Sequence, residues 1–126
     1  MKKISFVVTA MLAASSVYAA PASVCAAPTN AGDGTQISST TGYGGTASGF
    51  VVNSFTPKCS ANVYAAVEQT EIALASAAGS KKGKNVFAGS SNGGGVKSVA
   101  QVANGASASD ATAQATAALA AGGGST

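Results

Sequence analysis

The apolar positions along this chain fall into three regimes. Residues Ile4–Ala14 form an apolar-rich run behind Lys2 and Lys3, and Ser15–Ala19 close it with mostly small side chains. A positive start, an apolar stretch and a small-residue end make the pattern of a secretory signal peptide. The run is eleven residues long, too short to cross a bilayer as a helix. Residues 1–19 are therefore expected to be removed after Ala19, leaving no membrane span.

The second regime, from about residue 35 to residue 102, has short alternating segments. Thr35–Thr41 (TQISSTT) is β-branched and reads as an edge strand, and Gly42–Gly49 reads as a loop. Phe50–Phe55 (FVVNSF) is the clearest strand in the pattern, stopped by Pro57, which cannot donate to a ladder. Residues 61–78 fit two periods. As a helix, Val63, Ala66, Val67, Thr70, Leu74 and Ala77 share a face; as strands, Val63, Ala65 and Val67 alternate with Tyr64, Ala66 and Glu68. Alanine, glutamate and glutamine favour the helix, whereas the β-like surroundings favour strand, which is the expectation. Asn85–Ala88 and Val96–Val102 are short strands around a Gly89–Gly95 loop, and Asn104-Gly105 is a turn.

The third regime, 106–126, is low-complexity Ala, Gly, Ser and Thr. Ser107 or Ser109 could cap an alanine helix from Asp110 to Ala121, but such a helix has little apolar face to bury. The pattern thus predicts a mobile tail, one able to fold on a partner. The expected fold is mainly β: a small, disulfide-stapled, antiparallel, sandwich-like domain over 20–105 followed by that tail. A helix at 61–78 or within the tail is the main alternative.

Composition sharpens this picture. Of the hydrophobic 46% much is alanine, which buries little area, so the core must be lean. The two cysteines, Cys25 and Cys59, read as a disulfide in an exported chain. Closing that loop restricts the unfolded chain by roughly 3–4 kcal/mol. Without Lys2 and Lys3, five lysines face the carboxylates Asp33, Glu68, Glu71 and Asp110, a net charge of +1. Such a charge exerts little long-range pull on nucleic acid or anionic lipid.

The absences restrict chemistry further. The chain has no histidine, arginine or tryptophan, so histidine-based triads, histidine metal ligands and arginine phosphate forks are unavailable. No metal, cofactor or catalytic residue is expected. Glu68 and Glu71, three apart, read as two solvated charges near Lys81 and Lys82. The stretch GSKKGKNVFAGSSNGGGVKS from Gly79 to Ser98 suggests a phosphate loop, but its glycine-to-Gly-Lys spacing is one residue short and Asn85 replaces the hydroxyl residue. It reads instead as glycine-rich turns around a short strand, and no nucleotide is expected. Lys81, Lys82, Lys84 and Lys97 with Phe87 make a candidate polyanion or interface patch, though edge lysines also discourage stray strand pairing.

These readings point to an exported protein, periplasmic, cell-surface or extracellular, that is not an enzyme. The favoured class is a structural or assembly protein, a pilus-like, filament or matrix subunit that associates with itself or with other surface proteins. The alternative is a small binding or adhesion module for polyanions or surface glycans. A cysteine near the mature start and another opening a strand about 35 residues later resembles the layout of chaperone–usher pilins over residues 25–75. The chain is shorter than those subunits and lacks their aromatic C-terminal strand.

Overall fold

The computed structural model describes residues 20–43, 48–93 and 95–121. The expected signal peptide, residues 44–47 of the Gly42–Gly49 loop, residue 94 and the last five residues lie outside this description.

The central element is a five-stranded antiparallel sheet built from β1 (Ala22–Ala26), β4 (Val63–Gln69), β5 (Leu74–Ser80), β6 (Asn85–Ser90) and β7 (Lys97–Gln101), in the order β1-β4-β5-β6-β7. β4 to β7 form a meander, and β1 adds antiparallel to the outer side of β4. Two short strands, β2 (Gly32–Asp33) and β3 (Lys58–Cys59), pair in a separate ladder. The chain closes with helix α1 (Ala108–Ala120).

Residues 61–78 resolve as strands, as the alternating pattern indicated. Val63 pairs with Ser80 and Gln69 with Leu74, a full seven-residue register. The two faces of this hairpin are chemically distinct. Ala66 and Glu68 of β4, with Ala73, Ala75 and Ala77 beside and on β5, face α1. Val67 of β4 faces the other side with Val24, Ile37 and Val51.

The C-terminal segment corrects the expectation of a mobile tail. α1 lies on β4, β5 and β6 of its own chain, and Ala111, Ala115, Ala118 and Leu119 are buried there. Ser107 caps it, accepting from the Asp110 N–H at 3.2 Å, while the Asp110 carboxylate accepts from the Ser107 N–H at 2.8 Å. That reciprocal box satisfies two orphan donors of the first turn. The apolar face is small, but so are the sheet residues opposite it, and alanine against alanine lets the layers approach closely. Gly79 shows how closely: a Cβ there would lie 2.5 Å from the Ala106 Cβ.

The other face is covered over its β1–β4 half by residues 34–57. Here two expected strands fail to form. In Thr35–Thr41 and Phe50–Phe55 the ladder is reduced to one bridge, Ile37 with Phe55. Beyond single backbone bonds such as the Thr35 N–H to the Val24 carbonyl and the Phe50 N–H to the Thr70 carbonyl, both segments are held to the sheet by one side chain. The Val51 N–H donates to Gln69 Oε1 at 2.9 Å, and Gln69 Nε2 donates to the Ser38 and Thr41 carbonyls at 2.7 Å each. Where a sandwich would set a second sheet, one face carries a helix and the other this excursion. The Cys25–Cys59 disulfide ties the excursion's end to β1, with Cα atoms 5.7 Å apart.

Candidate interaction surfaces

The lysines sit where the meander turns. Lys81, Lys82 and Lys84 occupy the β5–β6 connection, all exposed. That turn is held by the Lys81 N–H donating to the Asn62 carbonyl at 2.8 Å and by the Lys82 N–H donating to Ser80 Oγ at 3.2 Å. Gly105, at φ +89°, passes so close that a Cβ would overlap the Lys81 carbonyl. The Asn104-Gly105 turn thus brings the start of α1 against the lysine turn, and the Ala106 N–H donates to the Ser80 carbonyl at 3.0 Å.

Phe87 points to the face opposite α1, 47% exposed. With Val63, Ala78, Gly83, Lys84 and Asn85 it lines a shallow groove of about 330 Å³. Lys97 does not join this patch. It pairs with Ala88, whose side chain packs towards the helix, and lines a second groove with Gln114 and Ala117. Period-2 alternation puts Phe87 and its neighbour Ala88 on opposite faces, so the five residues grouped by sequence divide between two surfaces. Lys58 pairs with Asp33 across the β2–β3 ladder.

The carboxylates separate as well. Glu71 lies exposed in the β4–β5 turn and accepts from the Tyr43 hydroxyl at 3.0 Å. Glu68 is not the solvated charge expected: it is fully buried between sheet and helix. Thr116 of α1 donates to its Oε2, and Oε1 has no partner. The two acids are three residues apart, but β4 ends between them, so they never share a face. The Asp110 carboxyl is held below the ordinary aspartate range by the Ser107 hydroxyl, then by the Ser107 N–H.

Sequence reasoning missed a second surface at the far end of the sheet from the lysines. Val52 and Ile72 are 87% and 81% exposed, and Phe50 is half-exposed. Phe50 is tied to the β4–β5 turn by its N–H, which donates to the Thr70 carbonyl at 2.8 Å. The available signal was Glu71-Ile72 itself, a charge and a large apolar residue where a tight turn would favour small polar ones. Among the described residues no group of acids and cysteines could hold a metal ion, and no helix is long and apolar enough to cross a membrane. No protein-family model, curated protein or solved structure matches this chain. The reading of function therefore rests on the chain's own surfaces.

Proposed function

We propose that this protein is an exported structural or assembly subunit, of a filament, pilus-like fibre or extracellular matrix, acting through contacts between subunits and not as an enzyme. One observation carries the reading: the distribution of its large apolar side chains. The interior is filled mainly by alanine, whereas Val52, Ile72 and Val96 are 87%, 81% and 74% exposed and Phe50, Phe55 and Phe87 about half exposed. Exposed apolar side chains that gather at one place, as Phe50 and Ile72 do at the β4–β5 turn, are a liability in a solitary soluble domain and an asset in one that is covered by neighbours. The amino-terminal pattern and the Cys25–Cys59 disulfide support export. The open edge supports assembly too, since among the described residues β7 has a sheet neighbour only in β6.

A polyanion- or glycan-binding module is the second reading, supported by the three lysines of one turn beside the Phe87 groove. Sedimentation velocity of the mature chain over a wide concentration range separates the two. Large, concentration-dependent species are expected for the assembly subunit. A monomer at all concentrations that is retained on a sulfated glycan column would replace it with the binding module.

A further inference from the structure

We propose that the two ends of the sheet are complementary halves of one head-to-tail contact between copies of this chain. This rests on the assembly reading above and names the surfaces it would use. The β4–β5 and β5–β6 connections lie at opposite ends of β5, a strand of seven residues, so they stand roughly 20–24 Å apart.

The ends differ in charge. At one lie the exposed Lys81, Lys82 and Lys84, together with the start of α1, whose peptide dipoles point their positive end the same way. Asp110 at that end is engaged in the helix cap. At the other end Glu71 is the exposed charge in the turn. The C-terminal end of α1 lies towards that side, where Ala118 and Ala121 line the helix-side groove with Gly89 and Lys97, and its last turn carries no basic residue. The Ser91 N–H donating to the Leu74 carbonyl at 2.8 Å places this end of β6 beside the Glu71 turn.

The ends also match in shape and polarity. The lysine end opens into the groove walled by Val63, Ala78 and Phe87, with Lys84 at its rim. The acidic end projects Ile72 and Phe50, with Glu71 beside them. An apolar knob flanked by a carboxylate fits an apolar groove flanked by lysines, with opposite charges meeting at the rim. Because the knob and the groove belong to the same chain at opposite ends, the contact is heterologous. Each copy then offers a free end to the next, which builds an open chain of subunits unless the rotation closes a ring. Lys97 lies towards the acidic end but on the helix face, whereas Phe50 belongs to the excursion on the other face, so Lys97 lies outside this contact, as does Lys58, paired with Asp33.

The test is sedimentation velocity of the mature wild type, of Glu71→Lys, of Lys82→Glu with Lys84→Glu, and of the two variants mixed in equal amounts. All three positions are exposed, so the intact disulfide and the circular dichroism should be unchanged. Each variant alone should associate about 10-fold or more weakly, because like charges now meet. The mixture should recover assemblies larger than dimers, because each altered end finds its reversed partner on the other variant. Ile72→Ser should weaken assembly as well, and Lys97→Glu should leave it unchanged. Variants that assemble like wild type, or a mixture that shows no recovery, would overturn this contact while leaving the assembly reading in place. A wild type that remains monomeric would overturn both.

Discussion

The Gln69 side chain adds three hydrogen bonds to the backbone bonds that Thr35, Gly42 and Phe50 of the 34–57 excursion make to Val24, Gln69 and Thr70, and replacing it by leucine tests its share of the attachment. The side chain is fully buried and its three hydrogen bonds all go to backbone groups of the excursion: one accepted from Val51, two donated to Ser38 and Thr41. Leucine nearly conserves the volume, so the cavity contribution is small. What is lost is the partner of the Val51 N–H and of the Thr41 carbonyl, each worth about 1–3 kcal/mol if left buried without one, while the Ser38 carbonyl keeps the Thr41 N–H at 3.1 Å. The full sum of roughly 2–6 kcal/mol is an upper bound, because the excursion can lift and return these groups to water. Lifting it uncovers Val51 and Ile37, which pack on Val24 and Val67, and burial of such side chains is worth about 1.5–3 kcal/mol each. The expected loss is therefore about 3–5 kcal/mol, a large share of the stability of a small domain. Gln69→Glu separates hydrogen bonding from packing: it keeps the acceptor for Val51 but sets an oxygen against the Ser38 and Thr41 carbonyls. Urea denaturation gives the magnitude, and hydrogen exchange at the Val51 amide reports whether the excursion opens locally. A loss below about 1 kcal/mol with the Val51 amide still protected would refute the argument.

Three further outcomes follow from the same structure. Thr116→Val removes the partner that Glu68 has and should destabilise by about 1–3 kcal/mol, whereas Glu68→Met should be neutral or stabilising because it takes a carboxyl group out of an apolar layer; a thermal melt of each variant, and of the pair together, measures both and their coupling. Replacing Cys25 and Cys59 together by serine should lower stability by roughly 3–4 kcal/mol through loss of the loop constraint, read as a drop in the urea midpoint that reducing agent reproduces in the wild type. Ser107→Ala should fray α1 at a cost of about 1 kcal/mol at neutral pH. Because the Asp110 pKa is lowered in the folded chain, its contribution is present above the ordinary aspartate value and fades as the pH falls through the lowered one. The gap between wild type and Ser107→Ala should accordingly narrow in strong acid, and a gap constant with pH would contradict the capping box.

The candidate surfaces were legible only in part. The lysine cluster of the β5–β6 turn is contiguous in the chain, so Lys81, Lys82 and Lys84 stay together in space. Phe87 joins them because its face of β6 is the open one. Lys97 leaves the group because its register opposite Ala88 turns it towards the helix. The acidic, apolar end at Glu71, Ile72 and Phe50 is assembled from residues about twenty apart, joined by the Phe50–Thr70 hydrogen bond, and no local pattern announces it.

Local information was enough where the chain folds on its neighbours. The β6–β7 hairpin and the turn at Asn104-Gly105 are readable in order along the chain, whereas the β4–β5 segment also fits a helical period and needed its β-like surroundings to decide, and the cap was narrowed only to Ser107 or Ser109. The Cys25–Cys59 pair was readable because two cysteines allow only one bridge. What required the folded chain was the fate of segments with weak local preference. FVVNSF has strand propensity, but its polar backbone finds the Gln69 side chain instead of a ladder. The alanine-rich C-terminus has too little apolar surface to fold alone, but it finds a sheet face whose side chains are equally small. Glu68 looks exposed in the pattern and is buried because that helix lies over it. Propensity reports what a segment prefers alone, whereas burial depends on which distant surface arrives to cover it, and that second choice is made by the whole chain at once.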